Sequence, residues 1–330
     1  MNAGRRRLLV SAAAGALTAL PFVNAAGAAR SEPFPIRPVM LWVPWAAGAA
    51  TDLSLRLLAE LAGPALGQPV VVSNRPGAGG TMAMGLLTQS EPNGYTIAQI
   101  PQPVFRAPFT HKVQWDPVRD ITPIIQISGV TFGVLVASDS RFRSLDDLFA
   151  FARDRPGELS IATNGVGTTP HLVLETLFTE RGLRYIHVPY KGTSELTLAV
   201  ESGQVLVGVN SSGFGPEVDA GRMRLLATFS ARRSKRWPEV PTLQELGFDI
   251  VAMSPYGLAG PRGVPPSVVA VLHDAFKKAM FDPRFIEDLA KYDQELAYLG
   301  PADYARACRA EFAKERAAAE RLGSTRGAVN

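Results

Sequence analysis

The chain has 330 residues, with 34 basic against 30 acidic side chains and a single cysteine. Arg5, Arg6 and Arg7 supply most of the positive excess, since without them 31 cations face 30 anions, and a nucleic-acid partner then loses its electrostatic support. With Cys308 alone no internal disulfide can form, so the chain relies on its apolar core.

Residues 1–28 read as an export signal: a basic start at Arg5-Arg-Arg7, an apolar stretch from Leu8 to Val23, and small residues at Ala26-Gly-Ala28. The apolar stretch is too short for a membrane span of ~20 residues. Arg5-Arg-Arg-Leu-Leu9 fits a twin-arginine route as well as general secretion. The expected product is a soluble periplasmic protein, and its remaining length suits two domains of ~100–200 residues each.

From Val39 one pattern appears twice: a short apolar run, a turn of small residues, and a helical run. The first copy is Val39-Met-Leu-Trp-Val43, Pro44-Trp-Ala-Ala-Gly-Ala-Ala-Thr-Asp52 and a helix from Leu53. The second is Val70-Val-Val-Ser73, Asn74-Arg-Pro-Gly-Ala-Gly-Gly-Thr81 and a helix from Met82 to Gln89. Such a turn leaves N–H groups pointing out of the helix start, where the helix dipole favours an anion. A small anionic ligand is therefore expected. Gly77-Ala-Gly-Gly80 does not have the G-x-G-x-x-G spacing of a dinucleotide site, so a tight structural turn is expected there.

Thr96-Ile-Ala-Gln-Ile100 reads as a strand and the segment holding Pro101, Pro103 and Pro108 as a loop. Ile124–Ser128 and Phe132–Ala137 read as strands. Ser144-Leu-Asp-Asp147 resembles a capping box whose helix stops at Pro156-Gly157. A third strand–turn–helix unit spans Leu159 to Glu180 through Thr163-Asn-Gly-Val-Gly-Thr-Thr-Pro170. Tyr185–Val188, the turn Pro189-Tyr-Lys-Gly-Thr193 and a helix over Ser194–Ser202 follow. Val205–Val209 and Leu225–Phe229 read as further strands, and Thr242-Leu-Gln-Glu245 with Gly247 predicts a short helix. The end is helical: Ser267–Met280, with apolar residues at Val268, Val271, Leu272, Ala275, Phe276 and Ala279, then Pro283–Tyr292 and Pro301–Arg321. Alternating strands and helices predict an α/β fold, with a middle domain inserted into the first and crossovers near residues 125 and 255. Ligands in such sheets sit beyond the strand carboxyl ends, where the glycine-rich turns lie.

Nine segments recur in one order: Pro44–Asp52, Leu66-Gly-Gln-Pro-Val-Val-Val72, Asn74–Gly80, Pro92-Asn-Gly-Tyr-Thr96, Asp116-Pro117 with Asp120, Gly165-Val-Gly-Thr168, Val188-Pro-Tyr-Lys-Gly192, Gly203-Gln-Val205 and Val240-Pro-Thr-Leu243. Together they resemble the Bug-type periplasmic solute-binding receptors of tripartite tricarboxylate transporters. The resemblance implies a type II periplasmic-binding-protein fold: two lobes, each with a central mixed β-sheet flanked by helices, joined by two crossovers. The expected division is residues 31–125 with 256–330 for lobe 1 and 126–255 for lobe 2. It also implies capture of a small organic carboxylate for integral-membrane transporter subunits, by a monomer, with no cofactor and no metal. A sensing role on the same fold, or an exported enzyme, are the alternatives.

Two departures from the family pattern bear on the ligand. The first turn is usually Gly-Gly in such proteins and is Gly48-Ala49 here, so Ala49 must avoid positive φ. Where amino-acid-binding relatives carry an acid after the Gly-Gln-Val strand, this chain has Asn210. An amide cannot pair an ammonium, which points to a carboxylate without an amine. The expected ligand contacts are Ala46, Ala47, Gly48, Thr51 and Asp52 in the first turn; Phe105 and Arg106 at a lobe edge; Thr163, Asn164, Gly167, Thr168 and Thr169 in the third; and Tyr190, Lys191, Asn210 and Ser211 beyond it. Asp52 reads equally as a helix cap, Arg106 as a surface ion pair, and Lys191 as a solvated cation. No catalytic group is expected, since the four histidines are scattered, no G-x-S-x-G elbow is present, and Cys308 falls in a late helix.

Overall fold

The computed structural model describes residues Phe34–Gly327; the expected export signal lies outside them. Eleven strands and ten α-helices alternate along the described residues, in two mixed sheets. The first sheet begins with β1 (Val39–Val43), β2 (Val70–Asn74) and β3 (Thr96–Ile100), which pair in parallel. Between them run α1 (Ala50–Leu66) and α2 (Met82–Leu87). Helix α1 buries Leu55, Leu58, Ala59, Ala62 and Leu66, a stripe of helical period. Each leucine fully withdrawn from water there contributes ~1.5–3 kcal/mol. Gly67, at φ 67°, ends the helix in the left-handed conformation that glycine adopts without steric cost.

The segment read as a proline-broken loop is instead helix α3 (Pro103–Thr110). Pro103 stands in its first turn, where the missing N–H has no partner to lose, so proline there starts a helix rather than preventing it. Strand β4 (Ile121–Val130) continues past residue 125, so the chain leaves the first sheet at Thr131. The second sheet then takes β5 (Phe132–Ala137), β6 (Ser160–Thr163), β7 (Ile186–Pro189), β8 (Val207–Ser211) and β9 (Met223–Thr228), in the order β7-β6-β8-β5-β9. Its helices are α4 (Leu145–Asp154), α5 (Thr169–Thr179), α6 (Thr193–Glu201) and α7 (Gly215–Asp219).

Strand β10 (Ser254–Pro261) returns to the first sheet antiparallel to both β3 and β4. Helices α8 (Pro266–Met280) and α9 (Pro283–Ala290), strand β11 (Leu296–Leu299) and helix α10 (Pro301–Gly327) complete it, giving the order β11-β4-β10-β3-β1-β2. Along α8 the buried stripe takes in Val269 and Met280, while Val271 is exposed. The expected helix at Thr242–Gly247 is a turn. Thr242 and Glu245 do exchange reciprocal bonds, Thr242 N–H to Glu245 Oε2 at 2.9 Å and Glu245 N–H to Thr242 Oγ1 at 3.2 Å, but Gly247 follows too soon for the turn to propagate.

Candidate functional site

Three helices start at one place. The N-termini of α1, α5 and α6 bring Ala49, Ala50 and Thr51, then Thr168, Thr169 and Pro170, then Gly192 and Thr193, to the wall of a cavity of about 50 Å³ between the two sheets. None of the three helix starts has a side-chain cap. Helices α4 and α9 are capped by Ser144 and Asp282, and α2, α3, α7 and α8 also start without a side-chain cap, so what sets the three apart is that their starts meet at one cavity. Uncapped first-turn N–H groups at a buried site need another acceptor, and three helix dipoles of about half a charge each make that acceptor an anion.

The rest of the wall is apolar or neutral. Trp45, Pro101, Pro103, Val130, Phe132 and Tyr256 supply surface, and Gln99, Asn164, Ser211 and Ser254 supply amides and hydroxyls. No charged side chain lines it. An anion here is met by backbone and hydroxyl donors in a desolvated space, where each hydrogen bond is stronger than in water.

Glycines allow the two sheets to approach this closely. A Cβ on Gly213 would lie 3.0 Å from the Ala50 Cβ, one on Gly192 3.2 Å from the Ala46 Cβ, and one on Gly79 3.3 Å from the Val166 carbonyl oxygen. Ala49 takes φ −67° and ψ 151°, so the alanine in place of the usual second glycine is unstrained, with Gly48 holding the positive φ at 82°.

Of the residues expected from the sequence, Thr51, Asn164, Thr168, Thr169 and Ser211 line the cavity. Ala46, Ala47, Gly48 and Gly167 do not; the chain leaves the wall after Trp45, exposes Ala47 and Gly48 in the turn, and rejoins the wall at Ala49, where the helix N–H groups emerge. Asp52 is fully buried beneath the turn, where Oδ2 accepts from Gly48 N–H at 2.8 Å and Arg56 at 3.0 Å, and Oδ1 from Asn74 at 2.7 Å. It ties the first two turns together. Thr163 is buried beneath its own turn, bonded to Gly165 N–H and His187 Nε2. Asn210 is buried behind Thr193, and Tyr190 and Lys191 stand off the wall, with Lys191 exposed.

Phe105 and Arg106 do not line the cavity. Phe105 sits in the core with Val104, Ile121, Tyr304 and Cys308. Arg106 is 7% exposed and grips Glu315 of α10 at two points, both 2.7 Å. Its Nη1 donates to the Gly167 carbonyl oxygen at 2.9 Å. The surface ion pair offered as the alternative for Arg106 is a buried one, because the segment forms a helix that turns both residues inward.

Sequence reasoning missed Gln99, Thr193, Ser254 and the aromatic wall. For Thr193 a signal was present: a threonine following small residues at a helix start occurs three times, at Thr51, Thr169 and Thr193. For Trp45 and Tyr256 no local signal exists, because they meet through the fold. Nearby, His171 and His187 stack at 4.2 Å, and burial lowers both from their ordinary values, His187 to about 4. Cys308 is buried and its thiol is pushed up to about 12. Among the described residues no group of histidines, cysteines and carboxylates is arranged to hold a metal ion, and no helix is long and apolar enough to cross a membrane.

Comparison with known proteins identifies the family and the fold. Residues 55–324 match the model of the tripartite tricarboxylate transporter family receptor. A Cupriavidus necator protein described as UPF0065 protein in gbd 5'region is 42% identical over 320 residues, 97% of this chain and 98% of its own. The structure of periplasmic binding protein BugD superposes with a TM-score of 0.82 at 26% identity, covering 88% of this chain and 99% of BugD. Rhodopseudomonas palustris Rpa4515, solved with adipate, gives 0.81 at 28% identity over 88% of this chain and 98% of its own. The chain therefore belongs to the receptor family of the tripartite tricarboxylate transporters, with the α/β fold of its periplasmic binding proteins.

Proposed function

We propose that this protein captures a small organic carboxylate in the cavity between its two sheets and delivers it to integral-membrane subunits of a transporter. The observation that carries this reading is the meeting of three uncapped helix N-termini at one uncharged cavity. The adipate bound to the Rhodopseudomonas palustris relative supports the ligand class. Residues 1–28 direct export to the periplasm, by general secretion or the twin-arginine route. The two sheets with their helices act as lobes that swing about the passages at Thr131 and Met253, opening and closing on the ligand. The Thr51 and Ser211 hydroxyls, with the helix-start N–H groups, hold the carboxylate, while the Thr168 and Thr169 hydroxyls donate to Gly165 and Gln102 and brace the turn. The receptor works as a monomer without cofactor and leaves its ligand chemically unchanged.

Calorimetry of the protein produced without residues 1–28, against a panel of mono-, di- and tricarboxylates and aromatic acids, tests the reading. Saturable binding of at least one acid, weakened by substitutions at the three helix starts, is the expected result. Binding of amines or neutral solutes with no acid in the panel taken up would end it.

A further inference from the structure

In the cavity wall and just behind it, four residues form a chain of hydrogen bonds whose direction is fixed at one end. The Ser211 backbone N–H lies 2.8 Å from one terminal atom of the Asn210 amide. A backbone N–H can only donate, so that atom is the carbonyl oxygen Oδ1. The Thr193 hydroxyl lies 3.2 Å from the same oxygen and spends its single proton there, this being shorter than its 3.5 Å contact with the Ser211 hydroxyl. It can then only accept from Asn164, whose amide nitrogen lies 3.3 Å away. Asn164 is thereby set with its NH₂ turned to Thr193, and its Oδ1 is left buried and without a partner.

Asn164 and Thr193 both line the cavity. From the facing sheet Gln99, 2% exposed and also in the wall, brings a second buried amide, whose Oε1 has no partner. Buried acceptors left unpaired are costly, so a site that keeps them needs a donor to meet them. That donor is neutral, because no anionic side chain lines the cavity to pair an ammonium, and an unpaired buried cation is strongly disfavoured.

We infer that Asn164 is a specificity-determining residue, locked by Thr193 and Asn210 to offer a neutral acceptor, and that the receptor selects acids bearing a hydroxyl beyond the carboxylate over their deoxy counterparts. This rests on the carboxylate reading of the same cavity. It narrows the ligand from carboxylates in general to hydroxy acids, and assigns the discrimination to one amide oxygen.

The test is a calorimetric comparison of matched probes: succinate, malate and aspartate, which differ only in H, OH or NH₃⁺ at one carbon, and benzoate against 4-hydroxybenzoate. In at least one set the hydroxy acid is expected to bind roughly tenfold or more tightly than the deoxy acid, with aspartate weakest. Thr193→Val, which removes the hydroxyl that orients Asn164, brings the hydroxy/deoxy ratio close to one, whereas Thr193→Ser preserves it. Asn164→Ala abolishes the ratio directly. If deoxy acids bind as tightly as hydroxy acids, or if Thr193→Val leaves the ratio intact, the inference is overturned while the carboxylate reading stands. If no acid in either set or in the wider panel binds, the carboxylate reading falls and takes the inference with it.

Discussion

Arg106 donates Nη1 to the carbonyl oxygen of Gly167 at 2.9 Å, a bond that runs from α3 beside the first sheet to the glycine turn at the end of β6 in the second. The guanidinium is held for this by Glu315, which accepts from Nε and Nη2 at 2.7 Å each. A parallel contact reinforces it. Thr169 Oγ1 donates to Gln102 Oε1, and Gln102 Nε2 donates to Glu311 at 2.7 Å and Glu315 at 2.9 Å. Helix α10 thus reaches the cavity edge through two intermediaries.

Removing the arginine leaves Glu315 buried and uncompensated. Arg106→Met is expected to lower stability by about 3–5 kcal/mol, and the double variant Arg106→Met/Glu315→Leu to recover much of that loss. Urea unfolding with a double-mutant cycle measures both. Additive losses in the two single variants would mean that the pair is not coupled.

Backbone donors can be removed without side-chain chemistry. Ala50 is the first residue of α1, where proline is well accommodated, and Ala49 already has the extended conformation that a following proline requires. Ala50→Pro deletes one N–H at the cavity and leaves the helix in place. Acid affinity should drop roughly tenfold, with circular dichroism and melting temperature little changed. Unaltered affinity in a folded Ala50→Pro protein would show that this helix start does not contact the ligand.

Close approach across the cavity depends on small residues. Gly213→Val sets a branched side chain against the Ala50 Cβ, where even one carbon lies at 3.0 Å. The variant is expected to fold, to bind acids at least tenfold more weakly, and to scatter X-rays as a more open particle in the presence of ligand. Equal ligand-induced compaction in variant and parent would argue against closure at this point.

The His171–His187 stack predicts an acid sensitivity. Both imidazoles are depressed by burial and His187 also by His171, while Glu175 opposes the shift in each. The unfolded chain takes up protons near 6.5, and folded His187 near 4. Stability is therefore complete above pH 6.5 and is lost as pH falls from 6.5 toward 4. His187→Gln keeps a polar partner for Thr163 and should flatten that part of the stability profile. Thermal melts at half-unit steps across this window check it, and a parent profile that is flat between 6.5 and 4 would contradict the assignment.

Much of the architecture is written locally in the chain. The strand at Thr96–Ile100 and the capping box at Ser144 stand where the residues place them, because period and caps depend on neighbours a few positions away. The same logic located the glycine turns and, with nine ordered segments, the family. It failed where a local rule had two outcomes. Pro103 either breaks a chain or starts a helix, and the burial of Phe105 and Arg106 against α10 tips the balance to the helix.

The composition of the cavity wall was decided by tertiary structure. Sequence located the turns, yet which turn residues face inward follows from where each helix axis points, so the cavity wall includes Trp45 and Ala49 but not Ala46. Trp45, Gln99, Phe132 and Tyr256 converge from four distant positions that share no sequence spacing. The setting of the Asn164 amide is further still from the sequence, since it passes through Thr193 and Asn210 to one backbone N–H. Periodicity and capping act over a few residues and can be read along the chain; convergence and hydrogen-bond direction exist once the two sheets have met.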